Sequence, residues 1–226
     1  MKKSNLSFLF IILYFVVLAI EIYGDLKGPW TIVYFTKPLL MPLLLAYYLF
    51  NLPRENKDWI IPISLLFSML GDIFLMIREN REQFFIFGLV SFLIAHILYI
   101  VYFFKEIKGK KWSLKIIPFV IFVIGFMAYL IPKLLKNEET QLLIGPVAVY
   151  AIVIAAMSYF ASLRPSIPSK SFYYVTTGSL LFILSDSCIA INAFVMPINY
   201  SGFIIMVTYG FAQYYIIRGI LEKYNA

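Results

Sequence analysis

The chain has 226 residues, of which 62% are hydrophobic and 14% charged, with a mean hydropathy of +0.87. A water-soluble domain of this size needs more polar surface than that, so composition excludes a soluble fold and leaves an integral membrane protein. The net charge of +7 is no nucleic-acid footprint, because the basic residues fall in short connections between apolar runs, as they do in cytoplasmic loops of membrane proteins.

Apolar runs of about 20 residues are long enough to cross a bilayer. In chain order they predict eight helical spans, at 6–23, 30–50, 58–77, 84–104, 114–131, 141–160, 171–193 and 200–220. The first follows "MKKSN" and imitates a signal peptide. Its apolar stretch exceeds the usual ~7–15-residue core and no A-x-A site follows, so a retained helix is expected. The separators "GDLKGP", "NLPRENKD", "RENREQ", "KEIKGKKW", "PKLLKNEET", "LRPSIPSK" and "FVMPINYSG" carry turn and charge signals. They are short, which makes neighbouring spans antiparallel. The expected fold is all-α: one membrane domain over 1–226, a bundle of eight transmembrane helices with no soluble part.

Orientation follows from Lys and Arg. With the N-terminus inside, the inner connections hold 13 of the 19 basic residues: Lys2, Lys3, Arg54, Lys57, Lys105, Lys108, Lys110, Lys111, Lys115, Arg164, Lys170, Arg218 and Lys223. The outer ones hold 5, namely Lys27, Arg78, Arg81, Lys133 and Lys136, and Lys37 lies within a span. That bias places both termini in the cytoplasm and the protein in the cell membrane, multi-pass, which is the inner membrane if the cell is Gram-negative. The 105–115 cluster reads as a topology anchor, with a lipid-headgroup patch as the alternative.

The ionisable residues read as lying inside spans are Lys37, Asp72, His96 and Asp186. A charge at mid-bilayer costs ~2.5–3.5 kcal/mol on insertion scales, so each needs a partner or a wet cavity. Counted from the predicted span ends at 1.5 Å per residue, Asp72, Asp186 and Lys37 lie roughly 8, 10 and 11 Å below the outer surface, one shared layer, with His96 deeper. Ser68 stands one turn before Asp72; Tyr209 and Gln213 are also four apart. Such groups are expected to line a common polar pocket. The plainer readings are that Lys37 neutralises one aspartate, that His96 hydrogen-bonds between helices, and that Tyr150, Tyr209 and Gln213 serve packing. Cys188, the only cysteine, reads as a small buried residue.

Two carboxylates sharing a low-dielectric pocket with one lysine are expected to divide into a protonated acid and an ionised base. One histidine and one cysteine cannot build a three-His or cysteine-rich zinc site, and carboxylates are too few for a well-supplied Mg²⁺ or Ca²⁺ site. No G-x-S-x-G motif occurs. No metal or cofactor is expected.

At these residues the sequence resembles the YhhN-like family of membrane proteins, which includes lysoplasmalogenases. The pieces that carry the resemblance are "TKPLLMPLLL", "FSMLGDIFLM", "FGLVSFLIAHILYI", Tyr150, "GSLLFILSDSCIAINAF" and "TYGFAQYYI". It implies hydrolysis of the vinyl-ether bond of lysoplasmalogen, giving a fatty aldehyde and a glycerophospho-ethanolamine or -choline. It also implies that Asp72 and Asp186 are the catalytic pair and that Lys37, Ser91, His96, Tyr150, Asn192, Tyr209 and Gln213 are substrate-binding positions. The implied partners are a lysophospholipid substrate and membrane lipids, with no nucleic acid. The competing readings are a small proton-coupled transporter or lipid flippase, using the same buried charges, and a non-catalytic lipid-binding protein. Against transport, no inverted repeat or paired broken helices stand out.

Overall fold

The computed structural model describes residues 3–53, 55–56, 58–77, 83–107, 109, 113–165 and 168–224, with side chains from Leu6 onward. Among the described residues the fold is all-α, with no strand. The helices are α1 (Lys3–Lys27), α2 (Trp30–Asn51), α3 (Ile60–Met76), α4 (Gln83–Glu106), α5 (Ile117–Leu134), the single turn α6 (Glu138–Gln141), α7 (Ile144–Leu163), α8 (Ser169–Phe194) and α9 (Ser201–Glu222). A 3₁₀ turn over Leu114–Ile116 leads into α5.

Every predicted span coincides with one long helix. Seven are long and apolar enough to cross a membrane. α3 has 17 residues, or about 26 Å at 1.5 Å per residue, short of the ~30 Å hydrocarbon core. Of the residues behind the expected orientation, Lys2, Arg54, Lys57, Arg78, Arg81, Lys108, Lys110 and Lys111 lie outside the described residues, as does the side chain of Lys3.

Two separators are more helical than expected. "GDLK" belongs to α1, which ends only at Lys27. Gly24 lets α2 approach, since a Cβ there would stand 2.8 Å from Ile32 Cγ2, and the Gly28 N–H still bonds to the Gly24 carbonyl at 3.1 Å. The break therefore falls at Gly28–Pro29, where proline cannot extend the hydrogen-bond ladder. α5 runs past Pro132 to Leu134, and Thr140 Oγ1 donates to the Leu134 carbonyl at 2.7 Å.

The most extensive pairings are the sequential hairpins α8–α9, α3–α4 and α1–α2. α2 joins α3, α4 joins α7, α7 joins α8, and α9 returns to α1 and α2, which closes the bundle; α5 stands outside it against α7. The outward surface is apolar, with Phe35, Ile121, Ile124 and Leu142 exposed. Lipid tails solvate such residues as well as a core does, so helix association rests on close packing rather than on apolar burial. Glycine supplies it at two crossings. A Cβ on Gly71 would stand 2.6 Å from the Phe92 ring, and one on Gly178 would stand 2.8 Å from the Ala212 carbonyl oxygen.

Where α4, α7 and α9 end, Glu106 of α4 accepts from Arg164 Nε and from Lys223 Nζ, each at 2.5 Å. The Arg164 guanidinium also donates to Ser171 Oγ at 3.1 Å and to its carbonyl at 3.3 Å, and Ser171 Oγ donates to the Gly219 carbonyl at 2.6 Å. Arg164, expected as a loop charge, is thus a buried clamp that joins α4, the end of α7, α8 and α9.

Candidate functional site

The two aspartates project from α3 and α8, and a tyrosine from a different helix meets each. The Tyr209 hydroxyl of α9 donates to Asp72 Oδ2 at 2.7 Å, and the Tyr150 hydroxyl of α7 donates to Asp186 Oδ2. Asp72 is 3% exposed. Between the two pairs stands an aromatic wall. Phe92 and Phe182 each meet the Tyr209 ring edge-on, at 5.8 and 5.5 Å between centroids, and the His96 ring meets Phe182 at 4.6 Å and Tyr150 at 5.5 Å.

Two cavities lie near the aspartates; Phe92 of this wall lines the first, and no residue of the wall lines the second. One, of about 50 Å³, is almost wholly apolar: Phe85, Leu89, Phe122, Phe126, Val147, Ile154 and Phe194 line it, with Tyr150, Asp186 and Ser187 as its polar groups. The other, of about 340 Å³, is polar and is lined by Asp25, Trp30, Lys37, Asn192 and Ser201, among others. Leu75 and Ile189 line both. Each stands three residues after an aspartate on the same helix, so the junction of the cavities lies one turn beyond Asp72 and Asp186.

The expected single hollow is therefore divided. Asp186 and Tyr150 line the apolar cavity, Lys37 and Asn192 the polar one, and Asp72, Ser91, His96, Tyr209 and Gln213 are absent from both linings. Ser91 Oγ is engaged by its own helix, donating to the Phe87 carbonyl at 2.7 Å. Gln213 is held on both ends: Tyr99 donates to its Oε1 at 2.8 Å, and its Nε2 donates to Ser68 Oγ at 3.1 Å. Asn192 accepts from the Ile198 N–H at 2.9 Å and so holds the loop into α9. Cys188 is half-buried and free.

Two plainer readings fail on contact. Among the described residues Lys37 forms no ion pair with either aspartate. His96 is fully buried, yet neither ring nitrogen has a hydrogen-bond partner among the described residues, so it is no interhelical hydrogen-bonder.

One residue of this region is missing from the sequence reading altogether. Glu21 lies inside the first span, is fully buried, and has no partner for either carboxylate oxygen among the described residues. Its charge is within range of Lys37, Asp25 and Asp72. The signal was present: a glutamate two residues before the predicted end of a span, passed over because it sits close to "GDLK", which read as a turn.

A family model described as the YhhN family matches residues 32–220. Among curated proteins, the chain is 30% identical to "Lysoplasmalogenase TMEM86A" of Bos taurus over 185 residues, covering 80% of this chain and 72% of that protein. It is 29% identical to the protein of the same name in Homo sapiens, with the same coverage. A protein named "Lysoplasmalogenase" from Mycobacterium tuberculosis (strain CDC 1551 / Oshkosh) is 30% identical over 173 residues, 70% of this chain and 61% of that one. No solved structure matches significantly. With the family model spanning most of its length, from α2 to α9, this chain belongs to the YhhN family.

Proposed function

We propose that this chain is an intramembrane hydrolase that cleaves the vinyl-ether bond of lysoplasmalogen to a fatty aldehyde and a glycerophospho-headgroup. The observation that carries the reading is the junction at Leu75 and Ile189, where an apolar cavity meets a polar one a single turn from two tyrosine-bonded aspartates. A lysolipid has the same polarity along its length, with an alkenyl chain, a reactive ether and a charged headgroup. Relatives named lysoplasmalogenase support the choice of substrate.

In this reading the alkenyl chain enters the apolar cavity and the headgroup the polar one, with Lys37 facing the phosphate. One aspartic acid gives its proton to the β-carbon of the enol ether, which leaves an oxocarbenium ion at the α-carbon. The ionised partner stabilises that cation and takes a proton from the attacking water. The hemiacetal so formed breaks its C–O bond to release aldehyde and the glycerol hydroxyl, and both carboxyls end as they began. The tyrosines orient the carboxylates. No metal takes part. Ser91, Asn192 and Gln213 act as shape-giving groups around the pair, and the His96 imidazole, which lies against Tyr150, supports the donor to Asp186.

The same reading takes the chain as one integral membrane domain of eight spans with cytoplasmic termini, α3 included. α3 then crosses a locally thinned bilayer, a modest cost for a short helix. The test is aldehyde release from lysoplasmalogen by purified protein. Wild-type protein releases aldehyde, and Asp72→Asn and Asp186→Asn do not while keeping the same thermal unfolding. Full activity in either variant removes the two-carboxylate mechanism.

A further inference from the structure

Gln213 is the centre of a buried hydrogen-bond array that takes no direct part in the chemistry above. Its Nε2 donates to Ser68 Oγ of α3 at 3.1 Å, and its Oε1 accepts from the Tyr99 hydroxyl of α4 at 2.8 Å. All three side chains are fully buried. None of them lines either cavity, so none touches a molecule held there. With both ends occupied, the Gln213 amide has one orientation. Interhelical hydrogen bonds in a membrane contribute only modestly to stability, so three polar groups kept away from both cavities call for another role.

Their spacing repeats that of the first tyrosine–aspartate pair. Ser68 stands one turn before Asp72 on α3, and Gln213 one turn after Tyr209 on α9. The two helices therefore share two rungs, Asp72–Tyr209 at 2.7 Å and Ser68–Gln213 at 3.1 Å. α3 and α9 are not among the closely packed helix pairs, and neither are α4 and α9. Side chains rather than interlocked backbones span these gaps. From the other side, Tyr14 of α1 donates to the Gly210 carbonyl at 2.8 Å and holds the α9 backbone beside Tyr209. The Tyr150–Asp186 pair differs, because it joins α7 and α8, which pack directly on each other.

We infer that Ser68, Gln213 and Tyr99 are positioning residues: the Ser68–Gln213 rung, held from α4 by Tyr99, sets the register in which Tyr209 meets Asp72. Tyr99 acts on that aspartate two links away, through Gln213 and Tyr209, and has no such link to Asp186. The catalytic consequence rests on the two-carboxylate reading; the geometric one does not.

The test uses Tyr99→Phe and Ser68→Ala, each of which deletes a hydroxyl and keeps the rest of the side chain. Each is expected to lower kcat for alkenyl lysolipid about threefold to tenfold and to keep KM within about twofold. In a Tyr209→Phe background the same changes add less than about twofold, because the link they act through is gone. In a Tyr150→Phe background they multiply in full. Ser158→Ala deletes an equally buried bond, to the Ser179 carbonyl at 3.1 Å between α7 and α8, and leaves kcat unchanged. Equal factors in the two tyrosine backgrounds overturn the inference, as does an unchanged kcat in folded Tyr99→Phe and Ser68→Ala. A second readout needs no catalysis: nuclear magnetic resonance of protein in nanodiscs, isotope-labelled at tyrosine Cζ, with the Tyr209 and Tyr150 signals assigned by their loss in the Phe variants. Tyr99→Phe and Ser68→Ala are expected to move the Tyr209 signal and leave that of Tyr150 in place; a Tyr209 signal that stays put overturns the inference. Absence of aldehyde removes the hydrolase reading alone, and the Tyr209 signal still decides this one. The two variants cut opposite ends of the array, so one that fails to fold leaves the other to decide, and failure of both assigns the array to stability and overturns the inference.

Discussion

Tyr209 of α9 donates its hydroxyl proton to Asp72 of α3 at 2.7 Å, deep in the bundle. Tyr150 stands in the same relation to Asp186. A hydrogen bond to a charged group contributes about 1.5–3 kcal/mol, enough to fix which oxygen faces the substrate. Tyr209→Phe and Tyr150→Phe are therefore expected to lower kcat about tenfold or more and leave KM nearly unchanged. Asp72→Asn and Asp186→Asn remove the acid or base itself, with losses of roughly 10²–10⁴. Steady-state kinetics on the four variants checks the order. Equal losses in all four would mean that the tyrosines do more than orient.

The junction offers a second test, independent of charge. Leu75 and Ile189 are the residues common to both cavities, and neither carries a reactive group. Leu75→Trp adds bulk where the two cavities share a wall and should raise KM or abolish turnover while both tyrosine–aspartate pairs remain. Ala190 lines only the apolar cavity. Ala190→Phe shortens it and should move the preferred alkenyl chain to shorter lengths, read from relative kcat/KM across a chain-length series. An unchanged profile would place the chain elsewhere.

The helices and the placement of Asp72 and Asp186 within them were legible because both rest on local arithmetic: apolar run length, and the cost of a charge in lipid. What the charges touch was not. Tyr150 and Tyr209 were singled out, but nothing in their spacing assigns one to each aspartate, since the partners come from α3, α7, α8 and α9. Arg164 counted as one more loop cation, although it is 6% exposed; its partner Glu106 ends a different helix. Glu21 lay inside the predicted span but was passed over beside "GDLK"; the helix carries on through that stretch and puts Glu21 and the part-buried Asp25 on one face.

Arg164 makes a stability prediction. Its side chain is 3% exposed and Glu106 is 15% exposed, so removing one partner leaves a charge buried without its counterion, which costs about 3–5 kcal/mol. Glu106→Gln is expected to lower the unfolding temperature in detergent clearly, because it also releases Lys223. Arg218→Gln, whose i,i+4 bridge to Glu222 has the arginine 36% exposed and which also loses a bond to the Tyr47 hydroxyl, should change it less. Similar shifts for the two variants would show that the clamp adds nothing beyond surface pairing.

His96 separates stability from function. Its ring is fully buried among Phe92, Tyr150 and Phe182 with both nitrogens unpartnered among the described residues. Burying a polar group without a hydrogen bond costs about 1–3 kcal/mol by mutational measures. A residue kept only for packing would do better as phenylalanine. His96→Phe is accordingly expected to unfold at the same temperature as the native chain or a higher one, yet to lose activity, the pattern of a site that gives up stability for function. Its imidazole lies against Tyr150, the donor to Asp186, so the loss should appear in kcat. A variant that is both stable and fully active would reduce His96 to a filler of the aromatic wall and leave the tyrosine–aspartate pairs as the whole of the machinery.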